Sequence, residues 1–379
     1  MPGDKDHPSF HRSDTQLGMS SNVGRRLKNG EHTRCVERMM LMGRQESSEN
    51  DPSSGIVHQK EAEQIVIDGR DNIYSVAFLS DGKHVVSGGV EGKIRRWCIE
   101  DGKEVGTAMD AGNVVVNIAV SRDGKWIVGG TEGRQVMVWN AESHSKVTEF
   151  RAHFGYVRAV DISPDATKIA TGSDDNTARV WLLSTGERLL DPWKHEYWVM
   201  ATKFSPDGCL IATATWDHDS VRVYDSQSGG LLVEFPVKAN SWMNQSLAWA
   251  SDSKQLFVLS RDGEIHRVDV PTKTTLSKWR IHNDGSPSCI ALASNGTFIA
   301  ASNFTSVSLW DTTSQEQIGV VIQYTHDIKS MAMSSNYDLV TGGDKRITLR
   351  ALCSTLPSHY LDNVSVLALR KTCNRKPLS

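Results

Sequence analysis

The sequence predicts an all-β protein, a seven-bladed β-propeller of four-stranded antiparallel blades. Three observations carry this. First, one pattern recurs seven times, and its end points Trp97, Trp139, Trp181, Tyr224, Val268, Trp310 and Leu349 lie 42, 42, 43, 44, 42 and 39 residues apart. Second, each copy reads as three apolar, β-branched stretches of strand length divided by a Ser/Asp/Gly turn and a Gly- or Asp-rich turn. Third, such a unit cannot bury both its faces alone, whereas units stacked radially bury one another.

The elements follow in chain order. Residues 1–61 are rich in Ser, Asp, Glu, Arg and His and read as a disordered arm, with "QESSENDPSSG" (Gln45 to Gly55) as its linker. Within it, "TRCVERMMLM" (Thr33 to Met42) suits a short helix. The propeller is expected over 62–369, followed by a basic tail over 370–379 that carries Arg370, Lys371, Arg375 and Lys376. "AEQIVID" (Ala62 to Asp68) has the texture of an outer strand for the last blade. "VAFLSDGKHVVSGGVEGKIRRW", "IAVSRDGKWIVGGTEGRQVMVW", "VDISPDATKIATGSDDNTARVW" and "TKFSPDGCLIATATWDHDSVRVY" are the first four copies. Their turns, such as "SPDG" (Ser205 to Gly208), set Pro where φ must be fixed and end on Gly. The fifth to seventh copies, "LAWASDSKQLFVLSRDGEIHRV", "IALASNGTFIAASNFTSVSLW" and "MAMSSNYDLVTGGDKRITL", are more degenerate. "HYLDNVSVLAL" (His359 to Leu369) also reads as an outer strand, so either terminus can close the ring.

Bulk properties narrow the function classes. The chain has 379 residues, is 39% hydrophobic and 23% charged, and its net charge of -3 argues against nucleic acid or an anionic membrane as partner. Six widely spread cysteines form no C-x-x-C pair, which suits free thiols in a reducing compartment, cytoplasm or nucleus. "MPGDKDHPSFHRSD" has no apolar core of a secretory signal, and no apolar run approaches the roughly 18 residues of a membrane helix.

"VYD" at Tyr224–Asp225 and "LWD" at Trp310–Asp311 carry a signature dipeptide, of which "VWN" and "VWL" are degenerate forms. With its seven copies, the chain resembles the WD40-repeat family over roughly residues 63–366. The resemblance implies a buried hydrogen-bonded set of His, Ser/Thr, Asp and Trp. The third copy matches it at His153, Thr171, Asp175 and Trp181. Trp donates, Thr and His do both, and Asp only accepts, so the complete set fixes one packing. On this reading Asp175 holds its turn and Asp174 faces solvent. The fourth copy has His195, Thr213 and Asp217, with Tyr224 in place of Trp. The first keeps Ser87 and Trp97 but has Glu91, the second has Gly133 in the Asp position, and the seventh keeps His326, Thr341 and Asp344 without Trp.

The resemblance also implies that residues just after the His contact partner proteins on the top face. Here that region gathers Tyr156, Arg158, Trp193, Tyr197, Trp198 and Trp242, with Lys194 and Lys329 as further rim cations. Trp, Tyr and Arg dominate interface energies. The expected function is a non-catalytic scaffold binding other proteins or peptides, with no small-molecule substrate. The alternative is a substrate-recognition subunit of a ubiquitin ligase or chromatin complex. Neither cofactor nor metal is expected. "WDHD" (Trp216 to Asp219) sets its ligands on one turn with no distant partner. "GGVEGK" fails as a phosphate loop, because Ser87 stands where the first Gly belongs and Ile94 follows Lys93. No G-x-S-x-G elbow occurs.

Overall fold

The computed structural model describes residues 64–216, 220–239, 245–281 and 289–361. The arm, its Thr33–Met42 segment, the basic tail, Asp217 and Trp242 lie outside these. Seven four-stranded antiparallel sheets form a ring. The first strand, β1 (Gln64–Asp68), belongs to the last blade. Blade one is β2 (Ile73–Phe78), β3 (His84–Gly89), β4 (Lys93–Cys98) and β5 (Met109–Asp110). Blade two is β6 (Val115–Val120), β7 (Trp126–Thr131), β8 (Gln135–Asn140) and β9 (Lys146–Arg151). Blade three is β10 (Val157–Ile162), β11 (Lys168–Ser173), β12 (Thr177–Leu182) and β13 (Trp193–Lys194). Blade four is β14 (Val199–Phe204), β15 (Leu210–Thr215), β16 (Val221–Asp225) and β17 (Leu231–Phe235). Blade five is β18 (Leu247–Trp249), β19 (Gln255–Leu259), β20 (Glu264–Asp269) and β21 (Thr274–Arg280). Blade six is β22 (Ile290–Leu292), β23 (Phe298–Asn303), β24 (Ser306–Asp311) and β25 (Gln317–Gln323). Blade seven is β26 (Ser330–Met333), β27 (Asp338–Gly343) and β28 (Arg346–Ala351), completed by β1.

The N-terminal segment therefore closes the ring, with Gln64 opposite Arg350 and Asp68 opposite Arg346. The C-terminal alternative is corrected where it is described: His359 and Tyr360 lie in a short 3-10 helix, Ser358–Tyr360. Tyr360 is drawn there because its ring meets Phe298 edge-on at 6.0 Å and its hydroxyl donates to Asp311 Oδ2 at 2.8 Å.

Local chemistry shapes the turn between the first and second strands. In blades two, three and four a serine hydroxyl (Ser121, Ser163, Ser205) donates to the Asp two residues on. The same oxygen accepts the N–H that opens the second strand, at 2.8–2.9 Å. A left-handed residue follows in all seven blades: Gly82, Gly124, Ala166, Gly208, Ser253, Gly296 and Tyr337, with φ between 57° and 77°. Gly meets that demand without strain, and three blades meet it without Gly.

Blades meet through one position of the second strand. A β-carbon on Gly130 would lie 2.7 Å from Val157 Cγ1, and one on Gly88 would lie 2.8 Å from Val115 Cγ1. Gly172 and Gly342 face Val199 and Val76 in the same way. The missing side chain is what admits the next blade's valine, and Val115, Val157 and Val199 are fully buried at these seams.

The inner strands are edges, so their outward N–H groups need partners. Side chains of the preceding blade supply them. Ser330 Oγ accepts from Val76 N–H at 3.0 Å, Ser75 Oγ from Ile118 N–H at 3.0 Å, and Asn117 Oδ1 from Val160 N–H at 2.8 Å. Asp161 then takes over, accepting from Phe204 N–H at 2.8 Å while pairing with Lys203 at 2.7 Å. On the far side Gln245 serves two blades, its carbonyl accepting from Ile290 N–H and its side chain from Met331 N–H.

Candidate partner-binding face

The loops that lead into the first strands, and the turns between second and third strands, share one face, called here the top face. In blade three the four polar residues form a continuous relay. Trp181 Nε1–H donates to Thr171 Oγ1 at 2.9 Å, and Thr171 lies 2.7 Å from His153 Nε2. His153 Nδ1 meets both oxygens of Asp175 at 3.0–3.1 Å. A carboxylate only accepts, so Nδ1 carries the proton and Nε2 accepts from Thr171. Asp175 also accepts from the N–H groups of Phe154 and Thr177, from the Thr177 hydroxyl and from Arg179. Burial pushes its carboxyl up, but the donors led by His153 pull harder and hold it well below the usual carboxylate range. Burial in turn holds the His153 imidazole below its ordinary value, against the opposing pull of Asp175.

Asp174 corrects the expectation of a solvent-facing neighbour. Its side chain is 12% exposed and both its oxygens accept from Arg158, each at 2.8 Å. The reason is a β-bulge between Val157 and Ala159, which leaves Arg158 as the extra residue of β10 and turns its side chain to the top face. The same bulge recurs in β2, β6 and β14, where the extra residues are Tyr74, Val116 and Met200. The Arg158 guanidinium lies over the Tyr156 ring at 5.2 Å, so Tyr156, Arg158 and Asp174 form one fixed unit.

Blade four differs. Trp193, expected on the surface, is 8% exposed, stacked on Tyr224 at 4.1 Å and 6°, with its indole N–H on the Gly229 carbonyl at 2.9 Å. It belongs to the outer strand of blade three and fills the seam to blade four, so it is corrected to a packing residue. Among the described residues the Thr213 hydroxyl makes only a 3.5 Å contact, to the Arg222 carbonyl. Burial, helped by the Arg222 charge, lowers the pKa of His195 to about 4. Tyr197 is 42% exposed, and the half-buried Trp198 lies 6.0 Å from the Trp216 ring. Lys194 is exposed, and its carbonyl accepts from Arg222.

Lys329 stands apart from these aromatics, on blade seven, where it pairs with Asp344 at 3.2 Å and lies 5.4 Å from the Tyr74 ring. Tyr74 was missed in the sequence. Aligning "IYSV" with "VRAV" sets it in the Arg158 position, which was the available signal. Burial raises the Tyr74 pKa, the charges of Glu132 and Asp71 raise it further, and Arg158 opposes them. The Tyr74 ring thus lies near charges of both signs, Lys329 over its face and Glu132 and Arg158 acting on its hydroxyl.

In blade three the polar groups of this face are committed to one another or to backbone, whereas His195 Nε2, both ring nitrogens of His326 and the Thr341 hydroxyl are buried without a hydrogen-bond partner among the described residues. On the opposite face a cleft is lined by Asp165, Lys168, Asp207, Cys209 and Asp225. Its carboxylates accept from their own turns, Asp165 from Thr167, Asp207 from Cys209 and Asp225 from Ser228. Among the described residues, no group of three or more His, Cys, Asp or Glu side chains is arranged to hold a metal ion.

Fold and site together define a seven-bladed propeller that presents fixed aromatic and ionic groups on its top face. A family model of the WD domain, G-beta repeat, matches residues 63–98, 144–181 and 189–225. Each match takes the outer strand of one blade and the first three of the next, so the repeat is offset from the blade by one strand. The chain thus carries WD domain, G-beta repeats at these three positions, and propellers built of such repeats are generally protein-interaction scaffolds. No curated protein matches the chain.

Proposed function

We propose that the protein is a non-catalytic interaction module that holds partner proteins or peptides on the top face of blades three and four. The supporting observation is the exposed Tyr197 and half-buried Trp198 beside the fixed Tyr156–Arg158–Asp174 unit. Aromatic anchors next to a preorganised guanidinium lose little entropy on binding. The test is affinity capture with mass spectrometry, comparing wild type with Tyr197→Ala plus Trp198→Ala. Partners lost by the variant, at an unchanged melting temperature, support the reading; the same partners from both overturn it. Recovery of cullin adaptors or histones in that capture would specify the recognition-subunit role. We place this activity in the cytoplasm or nucleus. Cys98, Cys209 and Cys289 form no disulfide among the described residues, which agrees with a reducing compartment. A tagged protein found in the secretory pathway overturns that placement.

A further inference from the structure

Phe154 is 73% exposed, the most exposed large hydrophobic side chain among the described residues. Its position is nonetheless held. Its N–H donates to Asp175 Oδ2 at 3.0 Å, and it directly follows the buried His153 of the polar relay. Two guanidiniums flank the ring, Arg179 at 5.7 Å and Arg151 at 5.9 Å from its centroid. Arg179 is fixed by the Ala152 carbonyl, Thr177 Oγ1 and Asp175. Arg188 is near enough for its charge to act on Arg179. Arg151 and Arg188 are exposed and have no ion-pair partner among the described residues. The nearby carboxylate of Glu149 is already taken by Lys146 and Gln135. Two guanidiniums thus flank one exposed apolar ring between blades two and three, with Arg188 near Arg179, and the carboxylates of Asp175 and Glu149 are shared among other donors.

We propose that Phe154, flanked by Arg151 and Arg179 with Arg188 beside Arg179, is a docking point for an acidic peptide segment, carboxylates meeting the guanidiniums and an apolar side chain covering the ring. This rests on the reading of the top face as partner-binding and adds the partner's chemistry. Guanidinium forks match carboxylates, and an aromatic face adds apolar area that a purely ionic site lacks. A single-stranded nucleic acid would want a basic track with successive stacking rings, whereas here the cations gather about one ring on a chain of net charge -3.

The test is fluorescence anisotropy of the full chain with a labelled peptide of Asp and Glu around a central Phe. A Lys-for-acid version of the peptide and labelled oligo-dT are run beside it. Expected are binding of the acidic peptide only, weakening with salt, and a loss of roughly tenfold or more in Arg151→Glu plus Arg188→Glu. Phe154→Ala should lose affinity while keeping the salt dependence. As a control, Val320→Ala, at an exposed position on the outer strand of blade six, should bind this peptide as wild type does. Failure of the wild type to bind, equal binding by the charge-reversed variant, or tighter binding of oligo-dT overturns the proposal. If partner capture then still depends on Tyr197 and Trp198, the top-face reading stands without it.

Discussion

Asp175 concentrates more hydrogen bonds than any neighbour, and its removal strands buried donors. Asp175→Ala should cost about 2–3 kcal/mol, read from the denaturant midpoint. Asp174→Ala should cost about 1–2 kcal/mol, because it leaves Arg158 without its bidentate partner. The pH response follows from His195. Its folded pKa of about 4 lies below the ordinary 6.5. The unfolded chain therefore takes up a proton first, so this stability is whole above about 6.5 and is lost as pH falls toward 4, to at most about 3 kcal/mol. Melting temperatures across that window should fall less steeply in His195→Asn. Ala166, at φ 57°, is strained in its turn. Ala166→Gly should gain roughly 0.5 kcal/mol, strain relief of about 1–2 kcal/mol being partly offset through the unfolded chain. At this scale the relay was legible through the family resemblance, which assigns His153, Thr171, Asp175 and Trp181 their places, and their donor and acceptor inventories are consistent with it. The Arg158–Asp174 pair was not, since the residues are 16 apart and meet only through a bulge.

Between elements, the second-strand glycine decides how closely blades approach. Gly130→Val should cost about 1–3 kcal/mol by overpacking against Val157 and Val160, measured by thermal melting. Blades five and six carry Leu259 and Ser302 where blades one to three have Gly88, Gly130 and Gly172. Their inner strands, Leu247–Trp249 and Ile290–Leu292, hold three residues each, against six in β6 and β10. Amides of β18 and β22 should therefore exchange with solvent faster than those of β6 and β10 in hydrogen-exchange mass spectrometry. The glycines of "VSGG" and "VGGT" were plain in the sequence. Their task was not, because the valines they admit belong to the next blade, 27 residues further on for Gly88, Gly130 and Gly172.

For the whole molecule, the sheet pairing of β1 with β28 joins the ends of the ring, backed by Ser330 on Val76. Ile67, 3% exposed, carries the buried face of β1. Deleting residues 64–68 should lower the melting temperature and shift the protein to larger species on size exclusion, since it bares the β28 edge. The seven-blade count was legible from period alone. The closing terminus was not, because "QIVID" and "HYLDNVSVLAL" are both strand-like, and the Tyr360–Asp311 contact that separates them spans 49 residues.

The closure also has a consequence for how the protein is made. Gln64 and its partner Arg350 are 286 residues apart, so translation at about 5–20 residues per second leaves β1 waiting roughly 15–60 s for its neighbour. A product released before Arg346 lacks the strand that β1 pairs with. The first of the described strands to leave the ribosome is thus paired only once nearly the whole propeller has been synthesised, and the contact that closes the ring forms only on chains that have reached β28.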